Sequence, residues 1–128
     1  MNVTSFRSIW LAAAMLVGGS AVLCGAEPRK EDAALAAKLI TAIERSDYDA
    51  FVADGEGPFK QLRKGQFEAV SAQLSPKLQG GHEVSYLGDL KQKGYHVTLW
   101  RISFKDGGDD ALATLSVKDG KVGGFWIR

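Results

Sequence analysis

Apolar residues recur every three or four positions between Glu31 and Leu78, and every second position from His82 onward. The first period predicts helices and the second predicts strands. Leu35, Leu39, Ala42 and Ile43 share one face over Glu31 to Arg45. Ala33, Ala34, Ala36 and Ala37 add propensity there, because alanine loses almost no side-chain freedom on ordering. Asp32 near the start and Arg45 near the end each suit the adjacent helix pole. Ser46-Asp47-Tyr48-Asp49 reads as a capping box with Ser46 as the cap of a short helix burying Tyr48, Phe51 and Val52. Asp54-Gly55-Glu56-Gly57-Pro58 ends that helix, and Phe59 and Leu62 plug the connection into the core. A further helix is expected from Lys64 to Leu78, with Phe67, Val70, Ser71, Leu74 and Leu78 as its buried stripe and Gly80-Gly81 as its exit.

Beyond Gly81, His82, Val84 and Tyr86 alternate with Glu83 and Ser85, and Leu87-Gly88-Asp89 marks a twist or bulge. Strands follow at Tyr95 to Phe104, Ala111 to Val117 and Lys121 to Ile127. The Asp119-Gly120 pair between the last two is a strong hairpin signal. Three tight connections in a row make an antiparallel meander, and helices segregated before it make an α+β domain.

The long strand carries large apolar groups on both faces. Tyr95, Val97, Leu99, Arg101 and Ser103 alternate with His96, Thr98, Trp100, Ile102 and Phe104. Helices on one side alone should leave the other side polar. Trp126, opposite in parity to Phe125 and Ile127, repeats the anomaly. The second face therefore calls for a cover, either a curled sheet or another subunit. The aromatic set on the strands fits packing, a homodimer or partner face, or a small apolar pocket. Arg101, set among apolar neighbours, is either an anchor in such a site or a snorkelling side chain.

The first 26 residues change what the working chain is. Arg7 precedes the apolar run Ile9 to Val17, which leads to Cys24-Gly25-Ala26. That order predicts a secretory signal cleaved after Ala26, hence export to a periplasmic or extracellular compartment. Ile9 to Leu23 is too short and too interrupted by Gly18-Gly19-Ser20 for a spanning helix, so no stable membrane insertion is expected after cleavage. Leu23 directly before Cys24 speaks against a lipid anchor. Residues 27–30 form a flexible leader and residues 31–128 a single domain. Removing Arg7 brings the 16 basic residues level with the 15 acidic ones. A mixed, neutral chain has no nucleic-acid footprint. Removing Cys24 takes the one cysteine, so the domain must hold by its core alone.

Several segments carry a family resemblance: Ala42-Ile43-Glu44-Arg45-Ser46-Asp47-Tyr48-Asp49-Ala50-Phe51, Gln66-Phe67-Glu68-Ala69-Val70, Tyr86-Leu87-Gly88 and Lys118-Asp119-Gly120-Lys121-Val122. On these the stretch from Glu31 to Arg128 resembles the NTF2-like superfamily, and within it short exported bacterial domains of unknown function. The resemblance implies N-terminal helices packed on a strongly curved four-stranded antiparallel meander, the cystatin-like cone. It also implies a pocket at the wide end in some members, with isomerase-like acid/base chemistry in a few.

The carboxylate, tyrosine and acidic donor of such isomerases have no clear counterparts here, and no catalytic residue is assigned. His82 and His96 lie in neighbouring expected strands, but a zinc site needs three or four ligands, and no metal or cofactor is expected. Asp106, Asp109 and Asp110 lack the spacing of a calcium loop. The candidate ligand or interface residues are Tyr86, Tyr95, His96, Trp100, Arg101, Phe104 and Trp126. Together they predict a noncatalytic domain that binds itself or a protein partner through its sheet. The alternative is a small-ligand or weak acid/base site in the cone, with Tyr86, Tyr95, His96 or Arg101 as its polar contacts.

Overall fold

A computed structural model describes residues 27–128; the expected signal sequence and its cleavage point lie outside the described residues. Helix α1 (Lys30–Arg45) buries Ala36, Leu39, Ile40, Ala42 and Ile43 along one side. It stops because Ser46 turns left-handed at φ 56°. The Ser46 N–H then donates to Ile43 O at 3.1 Å, and the Asp47 N–H to Ala42 O at 2.8 Å. That pair of bonds is a Schellman closure, usually built on glycine. Here the Ser46 hydroxyl is held instead, 2.6 Å from that of Ser71.

The cap of the next helix, α2 (Tyr48–Val52), is consequently Asp47 and not Ser46; its carboxylate accepts from Ala50 N–H at 3.1 Å. Ser46 is spent on closing the preceding helix. A single turn, α3 (Gly57–Lys60), has Pro58 in its first turn and buries Phe59.

Helix α4 (Lys64–Gln79) crosses α1, and its seam is more polar than its spacing suggests. Phe67, Ser71, Ser75 and Leu78 are the buried positions, while Val70 is 46% exposed. The Ser71 hydroxyl donates to Ile43 O at 2.8 Å, and Ser75 to Glu44 O at 2.5 Å. The Gln79 amide adds a bond to Glu44 O at 3.0 Å. The last carbonyls of a helix lack partners within it. Here the neighbouring helix supplies them, so small hydroxyl residues outrank Val70 for the buried stripe.

Strands β1 (His82–Gln92), β2 (Tyr95–Phe104), β3 (Ala111–Lys118) and β4 (Lys121–Ile127) form an antiparallel sheet in sequential order. The expected α+β meander is present. Two tight turns set the register: Lys93-Gly94 with φ 53° and 85°, and Asp119-Gly120 with φ 52° and 75°. Paired left-handed residues match the natural twist of a two-residue hairpin. Bulges interrupt β1 at Leu87 and β4 at Gly123. Each inserts one residue and so reverses which face the following side chains occupy.

The register separates the two faces of β2. Trp100 stands opposite Tyr86 and Ala113; Thr98 opposite Asp89 and Leu115; Ile102 opposite Val84 and Ala111. This face meets the helices, where Leu39, Ile43, Phe67, Leu78, Ile102 and Leu115 are among the largest fully buried side chains. Tyr95, Val97, Leu99, Arg101 and Ser103 occupy the opposite face, where no helix packs.

Candidate functional site

The seven residues singled out from the sequence do not form one surface. His96, Trp100, Phe104 and Tyr86 take the helix-facing side, whereas Tyr95, Arg101 and Trp126 take the open side. Trp100 is 5% exposed, packs against Tyr86 with ring centroids 5.2 Å apart and planes tilted by 60°, and donates its indole N–H to Thr98 Oγ1 at 2.9 Å. A tryptophan whose ring and polar atom are both satisfied internally is a core residue. Phe104 is likewise buried, with the Lys77 ammonium 4.9 Å from its ring centre. Arg101 is exposed.

Trp126 is 54% exposed, and its indole lies against Gly124, where a Cβ would run into the ring. The Tyr95 ring sits against Gly123 in the same manner. The consecutive glycines thus clear the backbone for two aromatic rings, as strand glycines commonly do. The Tyr95 hydroxyl reaches on to Glu56 Oε2 at 3.2 Å, and the Lys118 ammonium stands 5.8 Å from its ring centre. Val97 is 4% exposed although it stands outside the helix-side core, so the open face carries a small apolar patch of its own.

The hydrogen bond to Glu56, then burial, then the charge of Glu56 raise the Tyr95 phenol above its ordinary value. Burial raises Tyr86, with Asp89 and Asp32 adding to it. A raised phenol pKa favours the protonated folded state, so the contribution of Tyr95 is intact below its unfolded pKa of about 10 and lost as pH climbs through the folded value. Replacing Glu56 with alanine is expected to lower the Tyr95 titration toward about 10 and leave Tyr86 raised. Carbon NMR of labelled tyrosine through alkaline pH reads both.

His82 and His96 are not brought together. His82 Nδ1 lies 3.0 Å from Leu78 O at the far end of β1. His96 instead joins a cluster that the sequence did not flag. Its Nε2 lies 2.6 Å from Asp89 Oδ2, and its Nδ1 lies 2.8 Å from Asp32 Oδ2. Asp32, 0% exposed, also accepts from Arg29 Nε at 2.9 Å and Nη2 at 3.4 Å. The hydrogen bond to Asp32 raises the Arg29 pKa, opposed by desolvation and assisted by the charges of Asp32, Glu31 and Asp89.

A ring protonated on both nitrogens donates to both carboxylates. A bare Nδ1 can instead accept from Arg29 Nη2, 2.7 Å away. Both nitrogens therefore have partners within the chain. Among the described residues, no group of three or more His, Cys, Asp or Glu side chains is placed to hold a metal ion.

An apolar groove lies elsewhere, between α2–α4 and strand β4. This groove has a volume of about 460 Å³. Its walls are Phe59, Leu62, Phe67 and Val70 on the helical side and Gly123 through Ile127 on the strand side; Gln66 is its one polar side chain. A groove of roughly 300–1,000 Å³ with apolar walls is of ligand-binding size. Trp126 stands at its rim. Neither Tyr86, Tyr95, His96, Trp100, Arg101 nor Phe104 lines it.

The chain is similar in fold to two solved structures. One is an uncharacterised cystatin-fold protein from Novosphingobium aromaticivorans, 15% identical, matched over 74% of this chain and 95% of that one with a TM-score of 0.40. The other is an NTF2-like protein of unknown function from Cytophaga hutchinsonii, 12% identical, matched over 82% of this chain and 93% of that one, also at 0.40. No protein-family model and no curated protein matches the chain. Among the described residues, no helix is long and apolar enough to cross a membrane.

Proposed function

We propose that this chain is an exported, noncatalytic binding domain that engages a protein partner at β4. Its binding surface is the edge groove with Trp126 on the rim. The sequence alone suggested the breadth of the curved sheet. The supporting observation is an open apolar groove bounded by consecutive backbone of a strand at the sheet edge. Such an edge offers hydrogen bonds and apolar pockets to the same ligand.

The acid/base alternative finds less support, because His96 has partners at both nitrogens and Arg101 lies on the face opposite Tyr86. Export rests on the signal-like order of Arg7, Ile9–Val17 and Ala26; the intact mass of secreted protein should show Glu27 as its first residue.

A neutral apolar dye, N-phenylnaphthylamine, tests whether the groove is open to ligands. It is expected to brighten on binding the full chain. Val70→Glu, at an already exposed helix position, should weaken that binding about tenfold while leaving the circular dichroism unchanged. Dye that fails to bind, or binds the variant equally, removes the groove from consideration. A small apolar ligand is the second reading, favoured by the groove's volume; tight dye binding with no binding of any peptide would decide for it.

A further inference from the structure

From the pairing pattern at β4 and the charges beside it, we infer that the partner is an extended, apolar segment flanked by acidic residues, added as a fifth strand along Phe125 and Ile127. The inference rests on the groove being the binding site, as proposed above. Arg128 and Leu112 exchange both backbone hydrogen bonds, at 3.0 and 2.8 Å. In an antiparallel ladder such pairs alternate with pairs whose amides point away from each other. Gly124 and Trp126 therefore bond to β3, while Phe125 and Ile127 turn their N–H and C=O groups to the free edge.

The chain already uses this edge once. Val122 N–H donates to Asp54 O at 2.8 Å, and Glu56 N–H donates to Val122 O at 2.9 Å, a parallel bridge centred on Gly55. Beyond it Pro58 turns the chain out of the extended pairing into α3, which packs against β4, and the next outward-facing positions are Phe125 and Ile127. An incoming strand would continue that pairing. Its alternate side chains would enter the groove against Phe59, Leu62 and Val70.

Charge selects the partner. Lys60, Arg63 and Lys64 are interleaved with the groove-lining residues Phe59, Leu62 and Gln66. All three are exposed, and none has an ion-pair partner among the described residues. Glu68 is the sole acidic residue from Gly57 to Val70, and nearby Glu56 accepts from Tyr95. A second copy of this chain joined edge to edge would bring the same cations to its own side of the joint. An acidic segment meets them with the opposite sign, which favours encounter and orientation.

The test uses the full chain and short fluorescein-labelled peptides of alternating Val and Thr, ending in Glu at both ends or in Lys at both ends. Fluorescence anisotropy is expected to show the Glu-ended peptide binding about tenfold more tightly than the Lys-ended one at low salt, a gap that narrows as salt rises. The combined variant Lys60→Glu, Arg63→Glu and Lys64→Glu should reverse that preference. N-methylation at alternate peptide amides, in the phase that faces β4, should abolish binding, and methylation in the other phase should not. This control leaves the protein untouched.

Equal affinity for the two peptides, or indifference to methylation in both phases, overturns the inference. So does sedimentation showing a dimer that excludes the Glu-ended peptide. If the dye occupies the groove and neither peptide binds, the acidic-strand partner fails while the groove reading stands. If the dye does not bind either, both fail.

Discussion

Trp100→Ala is expected to cost about 3–5 kcal/mol of folding stability, and Trp126→Ala less than about 1 kcal/mol. In the sequence both tryptophans read alike, as members of an aromatic sheet surface. The structure separates them. Trp100 faces the helices, fills the core beside Tyr86 and Ala113, and gives its indole proton to buried Thr98. Truncation removes the largest side chain of that layer and leaves the Thr98 hydroxyl without its donor, so a cavity cost and an unsatisfied polar atom combine. Trp126 lies against Gly124 on the open face with half its surface in water. Its loss should instead weaken ligand binding at β4. Urea denaturation of both variants, with dye binding alongside, separates the roles; similar folding costs would refute the assignment.

What the sequence made legible follows from how local each signal is. The strands Tyr95–Phe104 and Lys121–Ile127 are where alternation places them, because a two-residue turn and a period of two fix register within a few residues. The Leu87-Gly88-Asp89 irregularity is also legible in the sequence, but the partners it delivers across the sheet are not. One inserted residue turns Asp89 to the helix side, opposite Thr98, and within reach of His96. The same device at Gly123 sends Phe125 and Ile127 to the helix side and Trp126 outward, which explains the parity anomaly of the last strand.

Asp32 had no such signal. Three residues into a helix, a carboxylate suits the dipole whether or not a histidine 64 positions away comes to meet it. The groove was hidden for a related reason. Phe59 and Leu62 read as plugs, and they do pack inward, but whether helices and a strand edge meet flush depends on the sum of many side-chain volumes. Helix α4 shows the same limit: Ser71 belongs to the expected stripe, but Ser75 is buried because α1 ends beside it, a fact carried by the crossing of two helices and by neither segment alone.

His96→Leu is expected to destabilise the fold by about 2–4 kcal/mol, more than any other single change within its polar cluster except loss of Asp32 itself. Asp32 is fully buried, and His96 and Arg29 are its side-chain partners. Arg29 is half exposed and holds the carboxylate from the solvent side. Without the imidazole, the inward side of Asp32 faces a leucine, and the desolvation of the carboxylate goes uncompensated there. Asp89→Ala should cost under about 1 kcal/mol, because that carboxylate is itself half in water. A double-mutant cycle between His96→Leu and Asp32→Asn measures the coupling directly, with about 1–3 kcal/mol expected for groups in direct contact. A coupling near zero would mean that Arg29 alone satisfies Asp32, and that His96 is held by Asp89 without tying α1 to the sheet.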